Sequence, residues 1–419
     1  MNIKILSMMI SICAASALFA VDNYYFAFDS SKSVLKPVIK ENGVYKYADG
    51  SGYPDRNIFI LSKLFDTQNN TGSMFMGEGA NASGINSIAI GKNAQVKLPS
   101  ANQGDSLAIG HFATATETNT TAIGAYSLAA KINDIAIGPE AQALGGNSVA
   151  IGKKSQATDT DAIAIGNNAQ ATINNAIAIG QNSEATHDHA VAFGIKAIAS
   201  GQWSQAIGTS AESKGTHSNA IGFEAKSLGE NALAFGYEAE ARGLNSLAFG
   251  TTSKASENSN AIGNNAYASG KNSNAIGKNS FAWDKNSIAI GGSDANSQNS
   301  YGEDSIVIGS SSGTFSSYSI AIGSSAIARG GDDAIAMGRK SQAEKEKTIA
   351  IGSEAKALGD FATTVGASAE ANHSATALGY QAKANSHSNA LGYQTKANSH
   401  SNALGYQAEA DNYSQAFWL

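Results

Sequence analysis

The stretch Ala162-Ile163-Ala164-Ile165-Gly166-Asn167-Asn168-Ala169-Gln170-Ala171 decides the fold, because close variants of it recur along nearly the whole chain. Counted by its glycine, the unit occurs 24 times between Gly77 and Gly405. Of the 23 intervals, 16 are 14 residues, four are 13, and the rest are 19, 18 and 15. A fixed short period of this kind marks a stacked fold in which each unit contacts only its neighbours.

With the glycine as position zero, the residue before it is Ile, Leu, Val, Met or Phe in every copy. Position −2 is Ala in 21 of 24 copies, the exceptions being Phe75, Val307 and Thr364. Position −3 is often Ile, Leu or Val, but Asn at Asn219, Asn260, Asn274, Asn389 and Asn402. Positions −4, +3 and +5 are mostly small. This alternation predicts two strands of about five residues per coil, joined by turns. About 14 residues enclose only a thin interior, so the inward positions must be Ala or Ser. The bulky face of the first strand then needs cover from elsewhere, because a soluble monomer does not tolerate a long apolar strip, and self-association is the simplest cover. The glycine suits a turn with positive φ or a close approach between coils. Position −5 is Asn, Asp or His in 18 of 24 copies, residues suited to left-handed geometry, and stacking would line them up as a ladder.

Residues 1–20 read as a secretory signal: Lys4, an apolar run over 5–19, and Ala20 at the cleavage point. The single Cys13 falls inside it, so the mature chain has no disulfide and depends on packing or assembly. No other apolar run is long enough for a membrane-spanning helix. Residues 21–73 are richer in aromatics, and Asn42-Gly43 between 34–40 and 44–47 is a hairpin signal, so this segment is expected to be a β-rich cap. The repeats run over 74–419. Extra residues at 96–105 and 292–304 are expected to protrude as loops. A charged fraction of 15% and a net charge of −6 give no electrostatic case for nucleic acid.

The core Asn147-Ser148-Val149-Ala150-Ile151-Gly152, repeated as Asn286-Ser287-Ile288-Ala289-Ile290-Gly291, resembles the YadA-like head repeat of trimeric autotransporter adhesins. The resemblance implies an all-β, left-handed parallel β-roll solenoid of about 24 coils, a homotrimer of rolls side by side, and a cell-surface or outer-membrane role in binding host matrix proteins or cells. It would set the bulky strand face in the interior or at the trimer interface. That family continues into a heptad stalk and an anchor of barrel strands. Here Ser414-Gln415-Ala416-Phe417 begins another copy and Trp418 stands at the glycine position, with no heptad run or set of barrel strands. The expectation is a truncated frame or a secreted head held by other means.

No nucleophile elbow, metalloprotease motif or phosphate loop stands in a supporting context, and no cofactor is implied. The expectation is a non-enzymatic protein. His187-x-His189 has a spacing compatible with a metal on a strand, but His189 occupies the turn-ladder position, which accounts for it better. Trp203, Trp283 and Tyr301, the last at the tip of the second insertion, are candidate ligand-gripping aromatics, weighed against filler at a coil edge or trimer seam. Residues 383–394 and 396–407 are identical 12-residue blocks. The leading function is an adhesin head. The alternatives are a secreted structural solenoid of an extracellular layer and a polysaccharide-binding solenoid.

Overall fold

The computed structural model describes four strands between residues 25 and 60, and residues 72–100, 104–292 and 298–418. The signal segment and Cys13 lie outside the described residues, as does the dipeptide 42–43. The chain divides into two compact units, Met1–Asp161 and Ala162–Leu419, each taken by itself. Among the described residues there is no helix, and both units carry coils of one parallel β-solenoid type, about 24 turns in all.

In the first unit, β1 (Tyr25–Asp29), β2 (Val34–Glu41), β3 (Val44–Tyr47) and β4 (Ile58–Ile60) form an antiparallel sheet in the order β3-β2-β1-β4. The pairing Glu41↔Val44 through Val38↔Tyr47 puts β2 and β3 on either side of residues 42–43. Coils begin at Met74–Met76, which pairs in parallel with Ile88–Ile90.

Most coils have one three-residue and one two-residue strand. Ile177–Ile179 and Glu184–Ala185 are an example from the second unit. The expected five-residue strands are therefore corrected, and the cause lies in the corners. Left-handed residues recur every seven positions, as at Asn168, Asn175, Asn182, His189 and Lys196, whose φ values are 58°, 56°, 54°, 57° and 57°. Each closes a turn that ends the strand before it. The Ala197 N–H donates to the Gly194 carbonyl at 3.3 Å, and the Ala190 N–H to the His187 carbonyl at 3.0 Å. A coil is thus two halves of six or seven residues with matching corners, position +2 being equivalent to position −5, and the halves differ in that the first ends on a glycine of large positive φ, 139° at Gly236.

Strands stack in register with the equivalent strand one coil away, Ala178 beside Ala192 and Ala185 beside Ala199. Inward positions −4, −2, +3 and +5 make the core. In one coil these are Ala162, Ala164, Ala169 and Ala171, all fully buried. Every buried apolar residue among the described ones is Ala or Val, because opposed sheets joined by such short turns leave no room for more. The glycine follows from the same closeness. At Gly194, φ is 139° and an added Cβ would lie 2.4 Å from the Gly208 carbonyl oxygen, inside contact distance and in a backbone region that L side chains avoid.

The second insertion departs from the expectation of a protruding loop. Gln298–Tyr301 is a strand that pairs in parallel with Ser280–Ala282 on one side and Gly313–Phe315 on the other. Its residues rejoin the ladder because the next coil offers an unpaired backbone edge. Within the two insertions, residues 101–103 and 293–297 lie outside the described residues.

Candidate functional site

Small residues fill the inside of every coil, so whatever the molecule recognises must be read by its two outer faces and its corners. The three-residue strands turn positions −3 and −1 outward, and these form apolar columns. Phe193 is 52% and Phe249 47% exposed, with Ile290, Ile308, Ile351 and Leu404 also exposed. Phe235 and Phe249 stack at 4.9 Å. The bulky face is therefore outside the roll and not in its interior, the first of the two places the resemblance allowed. Polar residues interrupt the −3 column, as at Gln205 and Asn219, and two such pairs are hydrogen-bonded: the Asn260 amide donates to Asn274 at 2.7 Å and the Asn389 amide to Asn402 at 2.8 Å.

The −5 corner is a side-chain ladder, as its residue types suggested. In the first unit the Asn119 amide donates to Asn133 at 3.1 Å, and Asn133 to Asn147 at 2.9 Å. In the second unit Asn231 donates to Asn245 and Asn245 to Asn258, at 3.2 and 3.1 Å. The same column carries stacked rings near the end of the chain: His387 on His400 and His400 on Tyr413, both at 4.9 Å.

The candidate aromatics separate. Trp203 sits at the −5 corner with φ 59° and is 46% exposed. It stacks on His189 at 3.7 Å, and the His189 Nδ1 is buried without a hydrogen-bond partner. Trp283 and Tyr301 are brought together at 5.7 Å, in a row that runs from Phe281 to Phe315. Trp283 has Phe281 and Tyr301 as ring neighbours, Tyr301 has Trp283 and Phe315, and both side chains stay partly exposed, at 37% and 36%. Tyr301 ends a paired strand rather than tipping a loop. Among the described residues no three His, Cys, Asp or Glu side chains gather to hold a metal.

The two-residue strands present a different face. Their outward position +4 is largely polar, and with the +2 corner it bounds grooves along the second unit. One, of about 640 Å³, is lined mainly by Gln381, Lys383, Gln394, Lys396, Gln407 and Glu409, with neighbouring coils adding Glu354, Lys356, Ser368, Ala369 and Glu370. A smaller one, of about 420 Å³, includes Glu224, Lys226, Glu238, Glu240 and Lys254. In the latter, Glu240 bonds Arg242 at 2.6 Å and lies 3.8 Å from Lys254. Burial alone would raise the Glu240 pKa, but the Arg242 hydrogen bond and the nearby cationic charges outweigh it and hold the carboxyl below its ordinary range. These grooves went unread in the sequence because each wall takes one residue from each coil. The signal was present in Gln381, Gln394 and Gln407, spaced 13 residues apart, the last two closing the repeated blocks.

The model of the YadA head domain repeat matches the chain in partly overlapping segments from 70–94 to 371–388, which together cover more than half of its length. No curated protein matches it. Among the described residues no helix is long and apolar enough to cross a membrane.

Proposed function

This chain belongs to the YadA head domain family, and on that premise we propose that it is the head of a bacterial surface adhesin that works as a homotrimer. The family is one of structural adhesins rather than enzymes and its members form trimers. The single observation that carries the reading is the apolar outer columns of the three-residue strands, exposed in the lone chain over many successive coils. Columns such as Phe235 and Phe249 need a partner surface, and a second and third copy of the same face supply one in register. In this reading the roll is left-handed, residues 1–20 direct export, and the antiparallel sheet at 25–60 caps one end of the stack. The exported protein is held at the cell surface or outside the cell. It attaches to host cells or extracellular matrix through many small equivalent contacts, whose combined strength rises with coil number and with trimerisation.

The test has two parts. Sedimentation of residues 21–419 gives a trimer, and a soluble monomer at micromolar concentration overturns the assembly. Purified protein coats host cells or immobilised matrix protein above a scrambled-repeat control, and binding at the control level overturns adhesion.

A further inference from the structure

We infer that the groove over the last coils, built by Gln381, Gln394 and Gln407 with Lys383, Lys396 and Glu409, is a binding site for a neutral, linear, β-linked polysaccharide. It rests on the adhesin reading only in that the site faces outward while the apolar face is covered by sister copies.

The first argument is the regularity of the walls. The Gln407 amide donates to Gln394 at 2.9 Å, and the Gln394 amide to Gln381 at 2.7 Å. Each amide has further donor or acceptor capacity to offer a ligand. The strand register sets Lys383 beside Lys396 and Lys396 beside Glu409. Each of the last three coils therefore repeats one amide and one charged group at a rise of roughly 4.8 Å, and the two coils before them present Glu354 with Lys356 and Ser368 with Glu370. The identical blocks 383–394 and 396–407 impose this periodicity. Next to the amides, Tyr380, Tyr393 and Tyr406 stack at 5.2 Å and stiffen the corner. The result is a straight polar trough that spans five coils, roughly 20 Å from first to last.

The second argument is exclusion by chemistry. Lys356, Lys383 and Lys396 are matched by Glu354, Glu370 and Glu409, so the groove carries no net charge and favours neither a polyanion nor a polycation. An extended peptide would need a free backbone edge or apolar pockets. The backbone here is already paired, as in Lys383 N–H to the Thr395 carbonyl at 2.8 Å, and the one apolar lining residue is Ala369. In the strand register Lys383 stands between Glu370 and Lys396, and Lys396 lies 3.8 Å from Glu409, so opposite charges alternate along the floor with one lysine pair between them. A chain that presents hydroxyl donors and acceptors at every sugar matches these walls. The straight course of the trough selects β-linked chains over coiled α-linked ones.

The experiment titrates residues 21–419 with cellohexaose, chitohexaose, maltohexaose and a heparin hexasaccharide by calorimetry. At least one β-linked neutral hexasaccharide binds, and at least tenfold more tightly than maltohexaose or heparin. The triple variant Gln381→Ala, Gln394→Ala, Gln407→Ala weakens that binding at least tenfold. A second triple variant with Asn at the same positions keeps a ladder of the kind seen between Asn265 and Asn279 in the same column, retains the wild-type circular dichroism, and also weakens binding. No binding of either β-linked probe, preference for heparin or maltohexaose, or indifference to both triple variants overturns the site. If cell adhesion persists in that event, the adhesin reading stands alone. If hexasaccharide binds while the protein coats neither cells nor matrix, the site stands and the adhesin reading falls.

Discussion

In the coil around Gly236, residues 231–237 (Asn-Ala-Leu-Ala-Phe-Gly-Tyr) and 238–244 (Glu-Ala-Glu-Ala-Arg-Gly-Leu) share the same corner and the same inward positions. Asn231 and Glu238 open the two halves with φ of 53° and 51°, and Ala232, Ala234, Ala239 and Ala241 are all buried. The outward residues differ completely: Leu233 and Phe235 on one half, Glu240 and Arg242 on the other. Backbone and core are therefore set by one rule used twice, and the division of labour between the faces is written only in the outward positions. Such a coil is amphipathic across its thickness, apolar on one outer face and polar on the other.

That comparison is open to direct attack. The strongest blow is aimed at what the halves share. Ala234→Leu and Ala241→Leu each force a large side chain between sheets that accommodate nothing above valine, and each should destabilise the chain by about 3 kcal/mol. Urea unfolding reads this, and a much larger loss in one half would break the claim of equivalence.

The next test separates the faces. Phe235→Asp with Phe249→Asp buries carboxylates in the proposed interface and should weaken trimerisation at least tenfold in sedimentation while circular dichroism is unchanged. Glu240→Ala with Lys254→Ala should leave the sedimentation profile as it is. The reverse pattern would exchange the roles of the two faces.

Corners should respond alike and more mildly. Asn245→Ala removes its amide bonds to Asn231 and Asn258 and disfavours the left-handed backbone, at a cost of about 1 kcal/mol. Asn279→Ala at the other corner, which has the bond from Asn265 to lose, should cost about as much or less, read by the same urea midpoints.

The smallest effect is electrostatic. The Glu240 carboxyl has a folded pKa below its ordinary value of 4.5. Its ionised form is thus favoured by folding. That stabilisation is complete above the unfolded pKa and disappears as pH falls through the folded one. Glu240→Gln should lower stability by less than about 0.5 kcal/mol at pH 7. The gap between variant and wild type should close by pH 3, and one that widened with acid would contradict the sign.

Much of this was legible beforehand. Small inward residues, the glycine at each turn and the Asn ladder follow from one aligned column each. The seven-residue equivalence was overlooked, although Asn168 and Asn175 both open halves of the same kind, because the glycine drew the period to 14. The strands came out shorter than alternation suggested, since alternation persists through residues whose backbone has already turned. Tyr301 read as a loop tip because a length count cannot tell where an inserted segment rejoins the ladder.

The sequence by itself determined the solenoid, its thin alanine core and its apolar columns, because these depend on residue size and spacing within one repeat. Only the tertiary structure decided which rings stack, that Trp283 and Tyr301 meet while Trp203 pairs with His189, and that amides and charges on neighbouring coils wall a groove. Those contacts join side chains about 14 residues apart whose geometry is fixed by the rise between coils, a distance that no single repeat contains.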